Sequence, residues 1–437
     1  MSKVRLLIVL LCAALWVESG YAHETYVLTI EQMFALADEN SKSLKIEDAT
    51  VIEAQQGVTI AKTGYLPDID ISLSASYLGN GYLMDRDFSD GHNIRMPHFG
   101  NNFAIKATQL IYGGGVVSNG VAIAKLKQEM AGVNREATRS RIRFMLIGFY
   151  LDLYKLQNVL KVYDHNIELA KIVINDTKAR KESGIALEND VTRYELQLKN
   201  LELARRRVAN SIEILNYDLV IMLGLPVDMH IIPDNNLIEH AVPMHDMAYW
   251  QLLAQTNAHI VKQMALALKI SEYGEKLARA EKLPTITLIA ANHFDGPITI
   301  EVPTINKNYN YWYVGVGVSF KLSSLYKANK SIRLAQCNTM LSRRRQDDAL
   351  EQISLAVQKD YTKYLEAYEE VSTLEKNVQL ANENYSIIEN RYRNDIVLVT
   401  DMLDASNQLL NAELQLENAR INVIFNYYKL KNTSGNL

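Results

Sequence analysis

The stretch LIGFYLDLYKLQNVLKVYDHNIELAKIVI, residues 146–174, decides the architecture. Its apolar residues advance by three and four: Leu146, Phe149, Leu153, Leu156, Leu160, Tyr163, Ile167, Ala170 and Ile174. That spacing draws one apolar seam down one face of a helix, and such a seam needs a second helix to cover it. A covering segment follows at once. Beyond Gly184 the seam resumes at Val191, Tyr194, Leu198, Leu201, Val208, Ile212, Leu215 and Leu219. Arg205 takes one seam position, where its long stem can pack at a rim. No proline occurs between Pro97 and Pro226. The spacing therefore predicts one helix from Val116 to Glu182, on the order of 100 Å long, with Gly132 and Gly148 as candidate kinks.

Upstream, residues 29–64 carry a helical pattern that Pro67 ends. Next, Asp68 to Tyr77 alternates: Ile69, Ile71, Leu73, Ala75 and Tyr77 share one face, Asp and Ser the other. This predicts a strand at 68–78, long enough for a tilted crossing of a bilayer, with a polar face suited to a wet lumen. Residues 79–102 read as a loop and 103–111 as a second strand. Gly113-Gly114-Gly115 follows; it lacks the spacing and the terminal Lys-Ser/Thr of a phosphate loop, and reads as a strand-to-helix turn.

The pattern then recurs. Residues 226–245 form a linker, and 246–282 repeat the first helix. Leu283-Pro284-Thr285-Ile286 echoes Leu66-Pro67-Asp68-Ile69 and opens a third strand, 285–291, with Ile286 and Leu288 outward. The loop 292–310 leads to a fourth, 311–322, with Trp312, Val314, Val316, Val318, Phe320 and Leu322 on one face. The seam returns as Val357, Tyr364, Ala367, Val371, Leu374, Val378, Ala381, Tyr385 and Ile388. The helical halves align at a constant spacing of 211, Ile167 with Val378 and Asp190 with Asp401. This duplication predicts a first repeat at 23–225 with a helical hairpin at 116–224, and a second at 246–437 with a hairpin at 327–433.

Lys3 and Arg5, then an apolar run from Leu6 to Val17 and small residues at Gly20 and Ala22, read as a signal peptide, 1–22. The balance of 46 Lys+Arg against 50 Asp+Glu gives no footprint for nucleic acid. Cys12 lies in the leader, so Cys337 has no disulfide partner in the mature chain; within its helix it reads as a small apolar residue. His92, His98, His230, His245, Met229, Met244 and Met247 show no recognised ligand spacing, so no metal or other cofactor is expected. No catalytic constellation is present, which argues against an enzyme.

Four strands cannot close a membrane barrel, and open edges do not survive in lipid. Several chains must share one barrel: two would supply eight strands and three twelve. At this point the sequence resembles the TolC-like outer-membrane efflux and secretion channels. The resemblance rests on the duplicated helix-strand-strand-helix order, the strand starts at Leu66 and Leu283, and two hairpin tips, Ser183–Val191 and Asn394–Ala405. The second tip resembles the family turn Gly-x-x-x-x-x-Asp-Val-Leu-Asp-Ala, departing from it at Asp395 and Met402.

The resemblance implies a mainly α fold with a membrane β-barrel: a trimer with a twelve-stranded barrel in the outer membrane, continued by a long α-helical barrel into the periplasm. It implies a periplasmic adaptor (membrane fusion) protein and an inner-membrane pump of RND, ABC or MFS type as partners. It also implies a periplasmic aperture at Asp401, Asp404 and Tyr392, with Asp190 in the matching place of the first repeat. Read from the residues alone, Asp190 and Asp401 serve as helix caps, and both readings stand. The family's enteric channel has a basic residue at the place of Val397, which cannot form that ion pair. The apolar tip residues Ile185, Leu187, Ile396, Val397 and Leu398, with the turn at Gly184, are either buried by neighbouring hairpins or contact the adaptor. The alternative function is an exported periplasmic coiled-coil adaptor or scaffold with a soluble β-domain. The strands discriminate, because a soluble domain does not turn Ile69, Ile71, Leu73 and Trp312 outward.

Overall fold

The computed structural model describes residues 25–234, 245–302, 304–394 and 396–437. The expected leader, Met244 and Asp395 lie outside them. The chain runs β1 (Thr25–Leu28), α1 (Ile30–Asn40), α2 (Lys42–Thr63), β2 (Asp68–Tyr77), β3 (Gly81–Leu83), β4 (His92–Ile94), β5 (Phe99–Tyr112), α3 (Val116–Glu182) and α4 (Glu188–Leu223). It continues as β6 (His230–Pro233), α5 (Met247–Asn257), α6 (His259–Ala280), β7 (Thr285–Gly296), β8 (Tyr309–Ser319), α7 (Ser324–Arg393) and α8 (Val399–Thr433). The order of two helices, a strand pair and two long helices thus occurs twice. The fold is mainly helical, and the long α3 is continuous through Gly132 and Gly148.

Two compact units divide the chain: Met1–Lys45, Ala137–Ala258 and Gln352–Leu437 form one, Ile46–Glu136 and His259–Glu351 the other. Both repeats contribute to each unit.

The second unit holds a four-stranded sheet in the order β2-β5-β7-β8, antiparallel throughout. Paired residues project to the same face, so the register assigns the sides. Ile71 pairs with Ile105, Leu288 with Val316 and Ile286 with Val318. These lie with Ile69, Leu73, Trp312 and Val314 on one mainly apolar face, interrupted by Asn101, Gln109, Asn292 and Asn310. Leu73 is 72% exposed and Trp312 74%, so none of the described residues covers this face. The other face carries Asp70 opposite Lys106, Ser72 opposite Ala104 and Ser74 opposite Asn102. Among the described residues the outermost strands, β2 and β8, are free edges of the sheet.

Strand boundaries differ from the alternation, among them the start of β8, which lies at Tyr309 rather than 311. β5 begins at Phe99 rather than 103, and β7 continues to Gly296 rather than 291. The added residues include Asn101, Asn102, Asn292, His293 and Asp295, whose side chains break the pattern while their backbones keep the ladder. β8 stops at Ser319, because a turn in which Ser324 N–H donates to the Lys321 carbonyl takes the chain into α7. Phe320 and Leu322 therefore lie beyond the strand. Part of the expected loop 79–102 is a small hairpin of β3 and β4. Cys337 is exposed on α7, not a packing residue.

In the first unit the seams are covered. Leu146 and Leu153 are fully buried in a core with Leu28, Met33, Leu219 and Leu223. Farther along, Ile167 and Ala170 meet Leu201, and Leu374 meets Leu416 and Ala419. Rim-placed Arg205 pairs with Asp164. A parallel pair of β1 and β6, invisible in the periodicity, is held by buried polar anchors. Tyr150 O–H donates to the Leu28 carbonyl at 2.6 Å and accepts the Asp234 N–H at 2.8 Å. Asn216 donates to the Met229 carbonyl and accepts the Ile231 N–H. Burial pushes the Tyr150 hydroxyl up to about 12, which keeps this donor protonated. Burial also opposes ionisation of Asp38, but Arg139 and Arg143, each at 2.6 Å, outweigh it and hold the carboxyl below its usual range.

The first helix of each repeat, expected as one, breaks at Ser41 and at Ala258. Each break sits where a glycine ending the long hairpin comes against it. Gly224 is left-handed (φ 69°), and a Cβ there would lie 3.0 Å from the Asn40 side chain, which donates to the Leu223 carbonyl at 2.9 Å. Gly435 (φ 72°) abuts the Asn257 backbone in the same way.

Candidate functional site at the hairpin tips

Both tips lie in the first unit and share one backbone solution. At the end of α3, Ile185 N–H donates to the Arg180 carbonyl at 2.9 Å; at the end of α7, Ile396 N–H donates to the Arg391 carbonyl at 2.9 Å. This six-residue closure satisfies a free helix-end carbonyl, and at the first tip left-handed Gly184 (φ 76°) makes it possible. The next helix is capped from within. Asp190 accepts the Leu187 N–H at 3.0 Å, and Asp401 accepts the Leu398 N–H at 3.1 Å. Leu187 and Leu398 have no side-chain acceptor, so only this returning half of a capping box exists.

Behind the tips lies an aromatic cluster of Ile174, Tyr194, Tyr385, Tyr392, Val399, Met402, Ala405 and Leu409. Tyr392 is 6% exposed; its hydroxyl and that of Thr177 are 3.0 Å apart, and its ring meets Tyr194 edge-on at 6.5 Å. The Arg180 guanidinium lies over the Tyr392 ring, 5.0 Å from its centre, while donating to Asp176 and to the Arg393 carbonyl. Burial raises the Tyr392 hydroxyl against the lowering effect of Thr177 and Arg180. Tyr194 is also raised by burial, and its hydroxyl is buried without a hydrogen-bond partner among the described residues.

A groove of about 410 Å³ runs between the tips, lined among others by Arg180, Leu187, Asp190, Arg193, Tyr392 and Leu398. Asp190 and Tyr392 are thus brought together. Asp401 and Asp404 are not among its lining residues; both are exposed, and Asp404 accepts from Gln408 at 2.7 Å. Ile185, Leu187, Ile396 and Leu398 are each at least 61% exposed. Val397 differs from them: it is half-buried and packs on the aromatic cluster. Sequence reading missed Thr177 and Arg180 and placed Tyr194 only in the helical seam. The signal available was the 211 spacing, which pairs Arg180 with Arg391 and so marks both carbonyls that close the tips.

Residues 251–436 match the family described as outer membrane efflux protein. The outer membrane efflux protein BepC of Brucella suis biovar 1 (strain 1330) is 21% identical over 413 residues, covering 94% of this chain and 86% of BepC. These matches make residues 251–436 similar to the outer membrane efflux proteins. Two solved structures share the fold. The outer-membrane channel OprN has a TM-score of 0.77 at 15% identity, over 93% of this chain and 90% of that one. The outer membrane protein VceC from Vibrio cholerae has a TM-score of 0.76 at 15% identity, over 93% of this chain and 96% of that one.

Proposed function

We propose that the chain is the outer duct of a tripartite efflux or type I secretion pump, acting as a trimer that passes substrate across the periplasm and outer membrane. The observation that carries this is the sheet: four strands, free at both edges, apolar and uncovered on one face and polar on the other. Lipid suits the first face and water the second, but neither edge tolerates lipid. Because neighbours are antiparallel throughout, β8 of one copy runs antiparallel to β2 of the next, and three copies close twelve strands. In this reading the repeats 23–225 and 246–437, joined by 226–245, supply two strands and one long hairpin each, and the hairpins of three copies form the helical barrel.

The tips then contact a periplasmic adaptor protein through Gly184, Ile185, Leu187, Ile396, Val397 and Leu398, with the inner-membrane pump beyond it. Asp401 and Asp404, with Asp190 and Tyr392, form the periplasmic aperture. The exposure of four of the apolar tip residues, and the groove between the tips that Asp190 and Tyr392 line, support this. Extraction from outer membranes in detergent, followed by mass measurement, tests the assembly. Three copies are expected; a soluble monomer or a two-chain species would sink the reading.

A further inference from the structure

The two free edges of the sheet carry different side chains on the polar face. On β2 that face is small: Asp70, Ser72, Ser74 and Ser76. On β8 it begins with three large rings, Tyr309, Tyr311 and Tyr313, before Gly315 and Gly317. The register extends the aromatic surface inward across the sheet. Tyr311 pairs with His293, whose ring stacks on Tyr311 at 5.1 Å and on Tyr313 at 6.1 Å, both within 9° of parallel. Tyr309 stacks on Tyr311 at 5.2 Å. Tyr309 itself pairs with Asp295, whose carboxylate accepts from Asn102 at 2.7 Å and lies 3.5 Å from the Tyr311 hydroxyl.

These rings are not a buried core: Tyr309 is 54% exposed and Tyr313 45%. Aromatic residues do favour strands, and cross-strand ring pairs do stabilise sheets. That explains a ring at these positions, but not three in succession on the face that meets water. The charge on the same face is uneven. Asp68, Asp70 and Asp295 project there with Lys106. An aromatic face presents negative quadrupole charge, and a nearby carboxylate adds to its attraction for cations.

We propose that Tyr309, Tyr311, Tyr313 and His293, with Asp295, form a lumenal binding strip for organic cations that carry an aromatic ring. The ring stacks on the tyrosines while the charge is held near Asp295. The proposal rests on the channel reading, since only then does this face line a water-filled path.

The test uses the purified full-length channel in a planar bilayer, with phenyltrimethylammonium or tetramethylammonium added at the side opposite the helical hairpins. Half-block of the wild type should need about fivefold less of the phenyl compound, the worth of one exposed ring contact. Tyr311→Phe with Tyr313→Phe keeps the rings and should keep that ratio. Tyr311→Thr with Tyr313→Thr keeps strand-forming residues without rings and should bring the ratio to about one. Asp295→Asn should raise both half-block concentrations and leave their ratio unchanged, a readout that holds even if the threonine variant fails to insert. Conductance with equal block by the two cations in the wild type, or a ratio unchanged in the threonine variant, would overturn the strip. Absence of any conductance step would overturn the channel reading and the strip with it.

Discussion

The two hairpin tips are built on the same backbone and differ in what surrounds it. Each closes on an arginine carbonyl, and each starts its next helix with an aspartate three residues on. Their side chains diverge at the 211 spacing. Lys181 and Glu188 form an ion pair at the first tip; the corresponding Tyr392 and Val399 are buried at the second. Arg193 corresponds to Asp404, Tyr194 to Ala405 and Thr177 to Ile388. The first tip thus has a charged rim, and the second is an apolar anchor whose carboxylates, Asp401 and Asp404, remain outside. The shared aspartate is explained by helix-start chemistry alone. Any function of the proposed aperture has to come from what the tips do not share.

The largest effect should come from the exposed apolar residues that both tips carry. Leu187→Asp with Ile396→Asp is expected to reduce export by the assembled pump to background while leaving the trimer intact on a detergent gel. Val397 is unsuitable for this test, because it packs on the aromatic cluster. Normal export in the double variant would reduce these residues to contacts between neighbouring hairpins.

A smaller effect should separate the two aspartate sites. Three copies would bring six carboxylates from Asp401 and Asp404 to one axis, and such a ring holds a multivalent cation. A trivalent cation added from the helical side should block single-channel current in the wild type and in Asp190→Ala. Asp401→Ala with Asp404→Ala should resist block by roughly tenfold or more. Equal block in all three would leave Asp190 and Asp401 as caps, worth about 1 kcal/mol each.

The smallest effect concerns the two tyrosines that meet edge-on. Tyr392→Phe removes the hydroxyl that faces Thr177 and should cost about 0.5–1 kcal/mol in unfolding by urea. Tyr194→Phe removes a buried hydroxyl with no partner among the described residues and should be neutral or slightly stabilising. Equal losses from both would mean that the Tyr194 hydroxyl has a partner in the assembled protein.

What was legible in the chain follows from periodicity. The seam from Leu146 to Ile174 and its echo in Val357 to Ile388 report the helices, because a helix must bury one line of side chains. The alternation in Asp68–Tyr77 and Trp312–Phe320 reports strands with one apolar face, since side chains alternate sides. The Leu-Pro-x-Ile strand starts and the 211 spacing report the duplication. These patterns depend only on neighbours in sequence, so the sequence by itself determined the four long helices, the four sheet strands, their order and the apolar face of the sheet. The tertiary structure decided what depends on residues far apart. Backbone ladder bonds carry β5 and β7 through Asn101, Asn292 and Asp295, where side chains give no strand signal. The β1–β6 pair exists because Tyr150 and Asn216 reach across to it. The breaks at Ser41 and Ala258 sit where Gly224 and Gly435 arrive from the far ends of the long hairpins. Thr177 and Tyr392, distant in the chain, meet only because two helices bury the same cluster.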